Sequence, residues 1–304
     1  MKEIFFFLGK GGVGKSTLSA SLSIFLSNKG LKTLWISIDP AHNICDILKI
    51  KPFKGLKEVD QNRWIEEIDI DFYLKKYLRD IKRKIYENYK YLNIFNLDKM
   101  FDIIRLSPGM EEFACLYALK DILNNQKDKD FLVIDTPPTA LTLRILGLPF
   151  ITKRWIKELK SWREKIIDRR KMVTHVKGCP LSGVKSCITG EDKVLTELIH
   201  QQEQMDSFVD IFLNKDTTHY ILVINPDELS ILEGKRIIES LKNFNITIDL
   251  IVLNKKLEDS SLINELSISK DKIKYKEVSF SKDAIDREKL IDIASKWTKD
   301  VFKF

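Results

Sequence analysis

Nine consecutive residues, Gly9-Lys10-Gly11-Gly12-Val13-Gly14-Lys15-Ser16-Thr17, restrict this chain more than any other stretch. They fit G-x-x-x-x-G-K-[ST], and they lie between an apolar strand pattern (Ile4 to Leu8) and a helix opening at Ser16. Each residue type answers a physical need of a bound phosphate. Glycines at 9, 11, 12 and 14 can take positive φ, so that successive backbone N–H groups turn inward around an anion. The helix that follows aims its unsatisfied N–H groups and the positive end of its dipole at the same place. Lys15 is placed to reach the β- and γ-phosphate oxygens, and the Ser16 hydroxyl to ligate Mg²⁺. The nucleotide-binding set read here is Gly9, Lys10, Gly11, Gly12, Val13, Gly14, Lys15, Ser16 and Thr17.

The rest of the pattern agrees with such a loop. Apolar runs at 34–38, 131–134, 220–224 and 248–253 alternate with helix-period segments, which predicts an α/β fold. It would be a doubly wound, mostly parallel sheet, in which ligands bind at the carboxyl ends of the strands. The second strand ends at Asp39-Pro40-Ala41-His42-Asn43. The third, Phe131 to Ile134, ends at Asp135-Thr136-Pro137-Pro138. Four apolar residues followed by an aspartate is the Walker B pattern, whose carboxylate supports the magnesium shell, so Ser16 and Asp135 are the expected metal-side pair. Asn254 follows the 248–253 strand in Asn254-Lys255-Lys256-Leu257. The guanine-reading carboxylate of an N-K-x-D motif is missing at Leu257, which favours adenine and hence ATP.

Two stretches fall outside the alternation. Residues 72–95 carry apolar positions at helical spacing, and 151–212 read mostly as helix with a break near Gly178 to Gly183. The expected organisation is therefore one domain over 1–304 with helical insertions at about 70–105 and 150–214, the second including Trp155 and Trp162.

Charge is unevenly spread. Ten Lys/Arg against three Asp/Glu between Ile151 and Gly178 leave an excess of +7, equal to the net charge of the whole chain. This segment reads as a solvated helix face or as a surface for anionic lipid, RNA or an acidic partner; specific nucleic-acid recognition is not expected. No apolar run reaches the roughly 20 residues needed to span a bilayer. The N-terminal apolar run is short and already belongs to the first strand, so no signal peptide is expected. Cys45, Cys115, Cys179 and Cys187 are too dispersed for a disulfide framework. The cytoplasm is the expected compartment, with the membrane surface as an alternative. His175, Cys179 and Cys187 read as ordinary side chains, with a soft metal or As(III) as the weaker alternative.

The lysine after the first glycine makes the loop K-G-G-V-G-K-S-T. That sequence resembles the deviant P-loop of the ATPases that include partitioning, septum-positioning, nitrogenase-reductase and arsenite or tail-anchor proteins. Three further motifs narrow the resemblance to the ArsA/Get3 ATPases: D-P-A-H-N at 39–43, S-P-G-M-E-E at 107–112 and D-T-P-P-T-A-L-T-L-R-I-L at 135–146. The resemblance implies a homodimer that sandwiches nucleotide, with Lys10 reaching the partner's phosphates. It further implies that Asp39 orients the attacking water, that Asp135 stands in the magnesium shell, and that Asn254 contacts the adenine edge. Asp39, Pro40, His42, Asp135, Thr136 and Pro137 would form the switches. The implied partners are a hydrophobic, tail-anchored-like client or a membrane transporter, the latter in an arsenite efflux pump. The chain departs from the family at Pro137, Ala140 and Leu141 in the second switch, and it lacks the C-x-x-C by which some relatives share a zinc ion.

Overall fold

The computed structural model describes residues 3–39, 43–88, 98–177, 192–256, 273–279, 286–298 and 301–302. Strand β1 (Glu3–Leu8) runs into the glycine-rich loop and helix α1 (Lys15–Asn28). Then follow β2 (Thr33–Ser37), α2 (Asn43–Leu48), β3 (Lys57–Asp60), β4 (Arg63–Glu67), α3 (Ile70–Asn88), α4 (Asp98–Arg105) and α5 (Met110–Asn125). The second half comprises β5 (Phe131–Asp135), α6 (Thr139–Lys177), α7 (Lys193–Leu213), β6 (Thr218–Ile224), α8 (Glu228–Lys242), β7 (Leu250–Lys256), β8 (Lys274–Ser279) and α9 (Arg287–Thr298).

The strands form one sheet in the order β3-β4-β2-β5-β1-β6-β7-β8, parallel except for the β3–β4 pair. Period-two alternation in β1 divides its side chains between two cores. Ile4, Phe6 and Leu8 join the layer built with α3, α5, α6, α7 and α8, whereas Phe5 and Phe7 join the layer built with α1 and α9. Trp297 of α9 is fully buried in that second layer, edge-on to Phe7 with ring centroids 5.9 Å apart. Burying two such faces is the main favourable term holding helices to sheet.

Two strands were not legible beforehand, so Phe131–Asp135 is fifth in chain order rather than third. β3 (K-E-V-D) is the edge strand, with two of its four residues exposed, and β4 (R-W-I-E-E) lies between it and β2; neither carries an apolar run. β7 extends through Asn254 to Lys256, so the asparagine sits inside the strand rather than after it. Helix α6 begins at Thr139, ahead of the boundary expected at 150, and runs unbroken past an internal Pro149 to Lys177. Residues 139–146 and the basic segment thus lie on one helix. Residues 89–95 of the expected first helical stretch and the break at 178–183 lie outside the described residues.

Candidate functional site

Register places the site. Phe7 of β1 and Ser37 of β2 both pair with Asp135 of β5, so three strands end level and the loop after β1 leaves beside the Asp135 carboxylate. Asp39 follows β2 by two residues, and its N–H donates to the Ser37 hydroxyl at 3.3 Å.

The loop wraps as its glycines allow. Gly9, Gly12 and Gly14 have φ of 142°, 78° and 101°; Gly11, expected with them, does not enter the left-handed region. Two of these positions are sterically closed to any side chain. A Cβ on Gly9 would stand 2.3 Å from the Val223 carbonyl of β6, and one on Gly14 would stand 2.3 Å from Asn254 Nδ2. Gly14 also caps α1 without any side chain bonding the helix N-terminus, which leaves those N–H groups for an anionic ligand.

β7 closes the loop from behind. Asn254 Nδ2 donates to the Val13 carbonyl at 2.8 Å, and Lys255 Nζ donates to the Gly12 carbonyl at 2.8 Å. Lys255 has φ of 56°, a conformation that costs a non-glycine residue energy. Its part in the site was missed from sequence; the signal was the Asn-Lys pair itself, set aside once Leu257 had argued against guanine. The resulting cleft, of about 530 Å³, is lined by the loop together with Asp39, Asn254, Lys255, Val278, Ser279 and Ile293.

Electrostatics concentrate at three side chains. Lys15 is buried, and its ammonium donates to the Lys10 carbonyl at 3.2 Å. Burial lowers its pKa, while Asp135 and Asp39 push it back up. Asp135 is fully buried, which raises its pKa to about 7; Ser16 and Lys15 oppose that rise and Asp39 adds to it. Neither Asp135 oxygen has a hydrogen-bond partner of ordinary geometry, although the Ser16 hydroxyl is close enough to favour the ionised form. A buried carboxylate with both oxygens orphaned, next to a serine hydroxyl, fits a hard divalent cation such as Mg²⁺.

The segments that follow β2 and β5 are anchored to this frame. Thr136 Oγ1 donates to the Phe7 carbonyl at 2.5 Å, and Thr142 Oγ1 donates to the Pro137 carbonyl at 2.6 Å. Glu67 Oε1 accepts from the Ile44 N–H at 2.9 Å, so β4 caps α2. Glu112 of the S-P-G-M-E-E stretch is buried and meets Arg144 of α6 at 2.9 Å. Lys10 is half-buried at the loop, and Thr17 lies in the cleft wall.

Pro40 and His42 lie outside the described residues, as do Cys179 and Cys187. Cys45 and Cys115 are buried free thiols, and the Cys115 thiol is pushed up to about 12 by burial and the nearby Glu112 and Glu111. Among the described residues no group of three or more His, Cys, Asp or Glu side chains gathers as a metal cluster, and no helix is long and apolar enough to cross a membrane.

Comparison with known proteins agrees with this arrangement. A family profile described as anion-transporting ATPase matches residues 2–287. The chain is 29% identical over 259 residues to the putative arsenical pump-driving ATPase 2 of Aquifex aeolicus (strain VF5), covering 85% of this chain and 81% of that one. It is 30% identical over 256 residues to the ATPase ASNA1 homolog of Entamoeba dispar (strain ATCC PRA-260 / SAW760), covering 81% and 74%. Over 271 residues it is 28% identical to ATPase GET3C of Arabidopsis thaliana, covering 83% and 66%.

Proposed function

We propose, from the premise that this chain belongs to the anion-transporting ATPase family and hydrolyses ATP, that it is a homodimeric switch which couples nucleotide state to capture and release of a hydrophobic client segment. The observation that carries this reading is helix α6. It begins at Thr139, directly after the Asp135-Thr136-Pro137 switch, and presents Ile151, Trp155, Leu159, Trp162 and Ile166 to solvent along one face. Their spacing keeps one helical stripe, and Trp155 and Trp162 are 63% and 59% exposed. Exposed large apolar side chains in a row mark an interaction surface rather than a core. A rod that joins the nucleotide switch to that surface can transmit a displacement between them.

Chemistry at the site would be positioning and charge stabilisation. Lys15 and the α1 N-terminus would hold the β- and γ-phosphates, with Lys10 contributed to the partner's nucleotide. Asp39 would orient the attacking water, and Asn254, beside Val278 and Ser279, would border the adenine. Ser16 and Asp135 would hold Mg²⁺, which would supply positive charge to offset that of the phosphates. Pro40, His42, Thr136 and Pro137 would report whether the γ-phosphate is present. Lys15 lies near two carboxylates, Asp39 and Asp135, which oppose the lowering of its pKa by burial.

A second reading, the ATPase that energises an arsenite or antimonite efflux pump, is favoured by the names of relatives such as the Aquifex protein. One assay separates the two. ATP turnover is measured alone, with a detergent-solubilised tail-anchored segment, and with antimonite. Complex formation with the segment that is lost in Trp155→Asp/Trp162→Asp supports the client reading. Stimulation by antimonite alone, unaffected by those substitutions, replaces it with the pump reading.

A further inference from the structure

On the sheet face away from α1, four helices leave a cleft of about 560 Å³ that the nucleotide site does not share. α3, α5, α6 and α7 each contribute a wall, and its apolar lining includes Tyr77, Phe113, Ile156, Leu198, Met205 and Phe208. The Tyr77 and Phe113 rings lie nearly parallel with centroids 6.0 Å apart, giving a flat apolar side. The volume falls in the range of roughly 300–1,000 Å³ in which small molecules are held, and such sites combine apolar walls with a few placed polar groups.

The charges at its rim are not evenly matched. Lys84 is paired with Glu197 at 3.0 Å, and Asp80 is engaged by both the Tyr117 hydroxyl and Arg83. Lys120, half-buried on α5, has no hydrogen-bond or ion-pair partner among the described residues. Its pKa is lowered, first by burial and then by the neighbouring Lys84. An ammonium in that position lacks both water on one side and a counter-charge on the other, and an anion would supply the missing partner.

We propose that this cleft binds a single-chain anionic amphiphile, a long-chain carboxylate, with its chain along Tyr77, Phe113 and Leu198 and its head group on Lys120. The ligand would lie inside one protomer, against the inner side of α6, where Ile156 faces the cleft. It is therefore separate from the outer stripe of Trp155 and Trp162, and it does not depend on the client reading.

The test is isothermal titration calorimetry of the full chain with dodecanoate below its micellar concentration, with dodecanol and dodecylammonium as neutral and cationic controls. Saturable binding of dodecanoate is expected, with the two controls much weaker. Lys120→Gln should weaken it by roughly tenfold or more, as for a lost charge-assisted hydrogen bond. Leu198→Trp should fill the cleft and abolish binding, and basal ATP turnover should stay unchanged in both variants. Trp155→Ala should leave dodecanoate binding intact. The proposal is overturned if dodecanoate does not bind, if the controls bind equally well, if Lys120→Gln binds like the wild type, or if Trp155→Ala removes binding.

Discussion

Asn254 and Val13 are 241 residues apart in the chain and joined by a 2.8 Å hydrogen bond from the Asn254 amide to the Val13 carbonyl. The same amide nitrogen stands 2.3 Å from where a Cβ on Gly14 would be. The phosphate loop is therefore shaped by β7 as well as by its own glycines.

Gly14→Ala should consequently lose nucleotide affinity through two effects. The left-handed backbone costs a non-glycine residue about 1–2 kcal/mol, and the new methyl group displaces Asn254. In Gly14→Ala/Asn254→Ala the clash disappears while the strain stays, so the double variant should bind ADP more tightly than the sum of the two single losses allows. Calorimetric titration with ADP of all four proteins checks this; strict additivity would show that the two positions do not communicate.

Lys15→Ala should abolish detectable ATP binding, because the buried ammonium is the cation that the loop encloses. Asp39→Asn should still bind ATP but turn it over about a hundredfold or more slowly, in line with the loss of a water-orienting carboxylate. Fluorescent-nucleotide binding and steady-state phosphate release separate the two outcomes, and normal turnover in Asp39→Asn would remove that residue from the catalytic role.

The Asp135 carboxyl, raised from its ordinary 3.8 to about 7 by burial, binds its proton more tightly folded than unfolded. Between those values the folded state holds the extra proton, so this group's contribution to stability falls as pH rises through about 4 to 7 and is flat above. Urea unfolding of nucleotide-free, metal-free protein should show this loss relative to Asp135→Asn, which carries no titrating group there. Adding Mg²⁺ and ADP should recover stability at pH 7.5 and above in the wild type and less in the variant.

Glu112 is 5% exposed, whereas the Arg144 side chain that meets it at 2.9 Å is 66% exposed. Arg144→Ala should therefore destabilise by about 1–3 kcal/mol, mostly by leaving a buried carboxylate without its partner. Glu112→Gln in that background should recover part of the loss, since a neutral amide is cheaper to bury unpaired. Denaturant midpoints of the two single variants and the double variant give the sign; equal midpoints for wild type and Arg144→Ala would mean the pair contributes nothing.

Sequence alone determined the glycine-rich loop, its strand and helix, and the two aspartates at strand ends. Each depends on a handful of consecutive residues: an apolar run of β-strand length, a glycine that must turn, a carboxylate where a strand stops. The family and the α/β class followed from those local signals, as did the positions of Asp39 and Asp135 relative to the loop. Tertiary structure alone decided what meets across long separations. The edge strand β3 and its neighbour β4 carry no apolar run, so their pairing shows only once β4 is laid against β2. The clasp of Asn254 and Lys255 on Val13 and Gly12, the Glu112–Arg144 contact, and the cleft beside Lys120 each join side chains from separate elements. Local periodicity fixes which face of an element is apolar, but sheet order, register and packing fix which partner that face finds.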